Sequence, residues 1–155
     1  MVPATTNGAA QNKNVSVTNV QNFYTLDFDP TTQEFAHALI AMPSDWNAGT
    51  ITATFYWTAT GVSTNSVVWA LEAYSYGDAD TIDVAYGSAQ QIADAHTATA
   101  LQVQITSATP AITIGGTPAA SELVMFRVKR VPADASDTLA VDAELLGVMI
   151  GYTRT

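Results

Sequence analysis

Cysteine is absent from this chain of 155 residues, and basic side chains are scarce, with 5 Lys and Arg against 14 Asp and Glu. Without cysteine, neither disulfides nor a thiolate metal site can hold the chain together. A formal net charge of -9 repels phosphate backbones and anionic lipid. The composition therefore argues against nucleic acid and against a membrane surface as partners.

Charge of either sign is also sparse, because Asp, Glu, Lys and Arg make up only 12% of the chain. An average domain has roughly twice that share, ~25%. Thr, Ser, Asn and Gln must then supply the polar surface that keeps the protein in solution. Such a surface is typical of proteins that pack against their own copies or a larger assembly. The sequence has no apolar run of about 18 residues and no signal-peptide pattern, so we expect neither a membrane span nor a leader.

What the sequence does contain is alternation with a period of two. Over Thr50–Thr60, Ile51, Phe55 and Trp57 point to one side while Thr and Tyr point to the other. Only a β-strand has this period, and Thr-rich outer faces are typical of strands with one side in solvent. A strand is therefore predicted over 50–60.

Similar patterns predict further strands within 15–28 and over 66–76, 101–105, 123–131 and 143–153. Residues 34–42 fit a helix or a strand, and the turn 43–49 favours the strand. We expect 77–98 to be irregular, with a helical turn or a short edge strand, and 112–114 to be a short strand or loop. The nearly all-apolar 143–153 predicts a central strand covered on both faces. Trp46, in the turn, is either a plug over the sandwich or a surface contact, and the plug is favoured.

This pattern predicts an all-β protein: one antiparallel, jelly-roll-like β-sandwich of about eight strands over residues 15–155. Such a chain would bury roughly 68–70% of its unfolded surface. Residues 1–14 are small and polar and predict a flexible N-terminal arm. The arm is either a disordered terminus or a segment that orders against a neighbouring subunit.

Catalytic groups are hard to find. His37 and His96 lie in no nucleophile–base or zinc motif, so no catalytic residue and no cofactor is predicted, and the protein is not expected to be an enzyme. Asp78, Asp80 and Asp83 are spaced as calcium ligands can be, but a twelve-residue loop and its terminal glutamate are lacking. The favoured alternative is that these carboxylates accept local backbone N–H bonds.

A structural ion pair is predicted where Arg130 precedes Asp134, Asp137 and Asp142. In a chain so poor in cations, an arginine close to three aspartates is expected to form a bidentate pair that pins the loop before the last strand. We expect the pair to be exposed or half exposed, contributing only ~0–1 kcal/mol.

Several of these stretches also resemble a β-sandwich module of tailed-phage virion proteins. The resemblance runs from Tyr56-Trp-Thr-Ala-Thr60, Val68-Trp69 and Gly77-Asp78 to a C-terminal series. That series is Phe126-Arg-Val-Lys-Arg130, Asp134, Asp137-Thr-Leu, Asp142-Ala and Leu145-Leu-Gly-Val-Met-Ile-Gly-Tyr152. It covers about 35–152 and implies a jelly roll, a structural role on the particle and often a homotrimer. It implies no catalytic residues.

Phage use such modules as capsid decoration (cement) proteins or in head and tail fibres. No shaft-forming segment accompanies this module, so the resemblance favours decoration of the outer head surface, with the major capsid protein or another virion protein as partner. The arm, with Val2 and Pro3, and the outward aromatics Tyr56, Tyr74 and Tyr76 are the candidate contacts with a copy or the capsid. The competing class is a carbohydrate-binding module, in which Trp46, Tyr76 and Tyr86 with Asp78 or Asp80 would bind a glycan.

Overall fold

The computed structural model describes residues 1–15 and 18–155, and every regular element in them is a β-strand. Two short strands come first, β1 (Val2–Pro3) and β2 (Ala10–Val15). The remaining eight are β3 (Asn22–Phe28), β4 (Phe35–Ala41), β5 (Trp46–Thr58), β6 (Ser66–Tyr76), β7 (Gln90–Ala95), β8 (Gln104–Ile105), β9 (Leu123–Arg130) and β10 (Ala143–Arg154). The predicted all-β fold class is confirmed, as is a strand rather than a helix at β4.

The strands form two antiparallel sheets of five. Sheet I has the order β1-β4-β9-β6-β7, and sheet II has the order β2-β3-β10-β5-β8. From β3 to β10 the chain crosses between the sheets at every connection except β6 to β7. The two sheets share one hydrophobic core, which makes the fold a β-sandwich.

The core follows from the alternation in the sequence. Ile51, Ala53, Phe55 and Trp57 of β5 are at most 1% exposed, and they face the inner side of sheet I. Trp69 of β6 is the centre of an aromatic cluster, with Phe28 edge-on at 5.1 Å and Phe55 stacked at 5.7 Å. Such pairs add roughly 0.5–1.5 kcal/mol each beyond area burial.

Trp46, at the start of β5, is 1% exposed and belongs to this core. The interpretation of Trp46 as a surface contact is therefore wrong, and the buried alternative fits. Its indole cannot serve as a platform for a sugar, because no face of it reaches solvent.

Two of the predicted strands differ from the structure. Over 101–105 only Gln104–Ile105 is a strand, because Leu101 has a left-handed backbone (φ 58°) and its N–H bonds to Ala59 O at 2.8 Å. The apolar members Leu101, Val103 and Ile105 face solvent, whereas Gln104 is buried. β10 is central in sheet II as expected, but only its first residues are covered on both faces, and Met149 on the outer face is 52% exposed.

Residues 1–14 lie along both sheets. Val2 and Pro3 pair with His37 and Ala36 of β4, while β2 pairs with residues 22–27 of β3. Ala9, between the two strands, is 1% exposed and belongs to the core. The segment predicted to be an arm therefore supplies an edge strand to each sheet of its own subunit, and its flexibility stays a prediction.

The predicted ion pair involves one of the three aspartates. Arg130 ends β9 with its side chain turned inward, and its guanidinium forms a bidentate pair with Asp137, with Nη2 to Oδ1 at 2.7 Å and Nε to Oδ2 at 3.0 Å. Asp134 bonds to Gln91 instead, and Asp142 has no direct bond to Arg130. The expected exposure is wrong, because the two paired side chains are only 0% and 1% exposed.

Because the Arg130–Asp137 pair is buried, every N–H donor of the guanidinium needs a hydrogen-bond partner within the protein. The remaining guanidinium donors bond to backbone carbonyls, Nη1 to Phe28 O at 3.1 Å and to Val141 O at 2.8 Å, and Nη2 to Leu139 O. Phe28 belongs to sheet II, and Asp137 in turn accepts from Val68 N of sheet I at 3.0 Å. Arg130 thus joins both sheets to the loop before β10.

Asp137→Ala is expected to destabilise the fold by about 3–5 kcal/mol, because it leaves the Arg130 charge buried without its counter-ion. Asp134→Ala, the matched control in the same loop, is expected to leave the urea midpoint close to that of wild type. Urea unfolding followed by fluorescence of the three buried tryptophans measures both. Equal effects of the two variants would contradict the assignment of Asp137 as the buried partner.

Candidate interaction surface

The outer face of sheet I is built by the registers of β4, β9 and β6. His37, Arg127 and Glu72 form one row across these strands, Leu39, Met125 and Tyr74 the next, and Ala41, Leu123 and Tyr76 the third. Because side chains alternate along a strand, these residues share the face opposite the core. The first row is charged and the next two are apolar.

The charged row forms a closed cluster. Arg127 is ion-paired with Glu72, and its guanidinium lies 4.7 Å from the Phe35 ring and 4.3 Å from the Tyr86 ring. His37 stacks on Tyr86 with a centroid distance of 6.2 Å. Cation–π contacts of this kind contribute roughly 0.5–2 kcal/mol. They hold the loop between β6 and β7 against the sheet.

Burial and the nearby Arg127 charge both lower the pKa of His37, which favours the neutral imidazole. His96 is 2% exposed, and its Nδ1 lies 2.9 Å from Ser63 O. Neither histidine has a hydroxyl or carboxylate partner among the hydrogen bonds of residues 1–15 and 18–155.

The apolar rows border a surface pocket of about 410 Å³. Its floor is apolar, and Leu39 and Ile82 are 51% and 77% exposed. Tyr76 packs on Tyr74 at 5.2 Å, and its hydroxyl donates to Ile82 O at 3.0 Å. The pocket rim is acidic, with Asp78, Asp80 and Glu122. We call this the acidic-rimmed pocket.

A second groove of about 330 Å³ lies between the sheets, beside the same strand β4. Its apolar lining comes from both sheets and includes Ile40 of sheet I and Tyr24, Leu26 and Val148 of sheet II. Tyr24 and Ile40 are 63% and 43% exposed. We call this the inter-sheet groove.

The predicted contact residues are divided among different surfaces. Tyr74 and Tyr76 are half-buried on the outer face of sheet I, whereas Tyr56 is half-buried on the outer face of sheet II. Val2, 62% exposed, and the half-buried Pro3 lie at the edge of sheet I. Because the two tyrosine sets lie on opposite faces of the sandwich, they belong to different contact surfaces of one chain.

The calcium candidates do not form a metal site. Asp78, Asp80 and Asp83 are exposed in the loop after β6, and Asp80 Oδ2 accepts the Gly77 N–H at 2.8 Å. Among the residues that the structure describes, no three His, Asp or Glu side chains are grouped as metal ligands. Asp80 instead shapes the local turn, which is the alternative that the sequence favoured.

The residues suspected of glycan binding are also dispersed. Trp46 is in the core, and Tyr86 has its ring covered by His37 and Arg127. Only Tyr76 remains at the acidic-rimmed pocket with Asp78 and Asp80. A sugar site would therefore rest on one aromatic ring.

Sequence reasoning missed an acidic cluster on the outer face of sheet II. Asp27 of β3 pairs in register with Glu144 of β10, and the two are 9% and 4% exposed. Strand β2 covers them: Asn12 Nδ2 donates to Asp27 Oδ2 at 3.1 Å, and Asn14 Nδ2 to Glu144 Oε2 at 3.4 Å. The two carboxylates are 117 positions apart in sequence, so only strand pairing could reveal the contact.

Burial and repulsion by Asp27 and Asp142 raise the pKa of Glu144 to about 7. Burial also raises the pKa values of Asp142 and Glu34, which adjoin the same cluster. Compared with the unfolded chain, the folded state therefore favours the protonated form of Glu144.

No protein-family model and no curated protein matches this chain. The described residues include no helix with the length and hydropathy needed to cross a membrane. The surfaces described above can bind a partner through their apolar side chains, the acidic rim of the pocket and the backbone groups at the sheet edges.

Stability is expected to fall as pH rises from about 4.5 to about 7, because folded Glu144 holds its proton while the unfolded carboxyl has lost it. Glu144→Gln keeps the acceptor for Asn14 and removes the charge. We expect this variant to be more stable than wild type at pH 8 by roughly 1–3 kcal/mol and equal to it near pH 4. Urea unfolding at both pH values measures this, and an equal gain at both would contradict the titration.

Proposed function

We propose that this protein is a non-enzymatic virion protein of a tailed phage, which decorates the outer surface of the head and stabilises it. The observation that carries the proposal is the sandwich itself. The sheet orders β3-β10-β5-β8 and β4-β9-β6-β7, with the chain crossing between the sheets, support a jelly-roll arrangement. The jelly-roll assignment is part of the proposal and agrees with the resemblance in the sequence.

The surface supports an assembly role. Monomeric proteins rarely expose large apolar patches, and such patches mark interaction sites. Here apolar side chains more than 40% exposed lie on both sheets, including Leu39 and Ile82 beside sheet I and Ile105 and Met149 on sheet II. A protein with few charges and apolar area on both faces can contact a copy with one face and a shell with the other.

Sheet II provides the face for contact between copies. Tyr56 pairs in register with Ile105, and its hydroxyl lies 3.9 Å from Met149 Sδ. Thr52 completes this surface, which is uncharged although the chain carries a net charge of -9. Copies of an acidic protein can approach each other at an uncharged face with the least repulsion.

The acidic-rimmed pocket supports a second candidate function. Tyr76 with Asp78 and Asp80 is the one group that retains the aromatic and acidic side chains of a carbohydrate site. A glycan-binding module or fibre tip is the alternative that this pocket favours.

Light scattering of the purified protein is expected to give three times the 16.3 kDa chain mass. Met149→Lys, which places a charge in the uncharged face, should lower the mass toward that of one chain. Val62→Lys is the matched control, since Val62 is 73% exposed in a loop, and should leave the trimer intact. A monomeric wild type would contradict the trimer and direct attention to glycan binding.

Head binding is tested with phage heads assembled without this protein. The wild-type protein is expected to sediment with them and to raise the temperature at which they release DNA. A protein that stays in the supernatant while binding members of a glycan array would overturn decoration and support the alternative.

A further inference from the structure

The outer face of sheet II carries two buried carboxylates that lie side by side. Asp27 of β3 and Glu144 of β10 are partners in register, which places their Cβ atoms about 4.5–5.5 Å apart. The two residues are 9% and 4% exposed. Because each charge raises the energy of the other, two buried carboxylates this close are costly to ionise together.

The neighbouring side chains supply few hydrogen-bond donors to this pair. Asn12 Nδ2 donates to Asp27 Oδ2 at 3.1 Å. Asn14 Nδ2 is shared between Thr25 Oγ1 at 3.2 Å and Glu144 Oε2 at 3.4 Å. The other oxygen of Asp27, Oδ1, is buried and has no hydrogen-bond partner within residues 1–15 and 18–155. A proton on Glu144 would provide the missing donor.

The charged groups around the pair are nearly all acidic. They come from β3, from the loop after it and from the residue before β10: Asp27, Asp29, Glu34 and Asp142. The charge of Arg130 reaches Asp142, but its guanidinium is held in the buried ion pair. On β2, Lys13 points to the opposite face of the sheet from the two asparagines, and β5 faces Glu144 with the uncharged Thr58. Among the described residues, Glu144 therefore has acidic neighbours and no counter-ion.

β2 is the strand of this region that can open most easily. It has a single neighbour, β3, whereas β3 and β10 each have two. Residues 10–13 are exposed, and none of 10–14 belongs to the hydrophobic core. In contrast, β3 and β10 bury Leu26, Phe28 and Leu145 in that core. Local openings occur where few buried contacts are lost, so we expect β2 to leave the sheet before β3 or β10 does.

Departure of β2 would expose the two carboxylates to water, because the asparagines of β2 cover them. This open form would ionise the pair more readily than the closed form, in which β2 is in place. Opening then releases a proton at any pH between the ordinary pKa of a glutamate and the pKa of about 7 that Glu144 has in the closed form. Within this window a rise in pH favours the open form, and above it the effect is constant.

We propose that Asp27 and Glu144 share one proton in the closed form, and that loss of this proton as the pH rises releases β2 from sheet II. The proton is on Glu144 and is donated to Asp27 Oδ1, the oxygen without another partner. Release uncovers the edge of β3 at residues 22–27, which β2 otherwise occupies. Because an uncovered edge can pair with another strand, the device links pH to the availability of a pairing surface. It does not depend on the proposed virion role.

Hydrogen exchange of the whole protein, followed by NMR from pH 5 to pH 8, tests the release. Division by the intrinsic exchange rate at each pH gives protection factors, which removes the base catalysis of exchange itself. The protection factors of the β2 amides that bond to β3 are expected to fall by at least about tenfold over this range. At urea concentrations well below the unfolding midpoint they should not change, since a local opening exposes little surface.

Glu144→Gln tests the role of the proton, because glutamine keeps a donor for Asp27 at every pH. In this variant we expect the protection of β2 to be independent of pH. Glu122→Gln is the matched control, since Glu122 also accepts two hydrogen bonds, from Ser75 Oγ and Ala119 N, but lies away from sheet II. It should keep the pH dependence of wild type. If Glu144→Gln fails to fold, the measurements on wild type decide alone.

Carbon NMR of the side-chain carboxyls in wild type tests the shared proton directly. The signals of Asp27 and Glu144 are both expected to shift in one step near pH 7. A step at Glu144 alone would overturn the sharing. Constant protection of β2 from pH 5 to pH 8, or an equal loss of protection in Glu144→Gln, would overturn the release. So would β2 exchange that accelerates in low urea, because the whole chain would then be unfolding.

Discussion

Arg130 is the constraint on which the packing of this sandwich depends. It stands at an inward position of β9, where the other inward residues are Val124, Phe126 and Val128, yet it carries a full charge at 0% exposure. A buried guanidinium is tolerated only when its donors are bonded, and these bonds reach Asp137 and three backbone carbonyls. One of these carbonyls is in sheet II, and the other two are in the loop before β10. The hydrogen bonds from Arg130 therefore fix the position of this loop relative to the two sheets.

The surfaces outside this core differ in a way that bears on function. Sheet I carries the stack of Phe35, Arg127 and Tyr86, which holds the loop after β6, and it also carries the acidic-rimmed pocket. Sheet II has an uncharged outer face around Tyr56 at one end and the buried acids Asp27 and Glu144 at the other. Two outer surfaces that differ in this way suit a protein that contacts two different neighbours.

Sequence reasoning worked where one periodic pattern decided the structure. β5, β6 and β9 were predictable because each has a complete apolar stripe that must be buried, and β4 because a turn follows it. It failed over 101–105, where the same alternation places apolar side chains in solvent. A period of two shows which residues share a face of the strand, but it does not show which face is buried. Here Gln104 takes the inner position next to Trp57.

The candidate site was less predictable than the fold. Tyr76, Asp78 and Asp80 were identifiable as a local group, but the apolar residues Leu39, Leu123 and Met125 that line the same pocket were not, because only the pairing of β4, β9 and β6 brings them together. The pairing of Asp27 with Glu144 was equally hidden, since it requires β3 and β10 to be neighbours.

The sequence by itself determined the fold class, the absence of cysteine chemistry, the acidic charge and the approximate strands, because composition and local periodicity are properties of the chain alone. Only the tertiary structure decided that the predicted surface ion pair is a buried one, that the N-terminal residues pair with both sheets, and that Asp27 lies beside Glu144. Each of those depends on which strands become neighbours, and long-range pairing sets burial, and with it the strength of every charge and hydrogen bond.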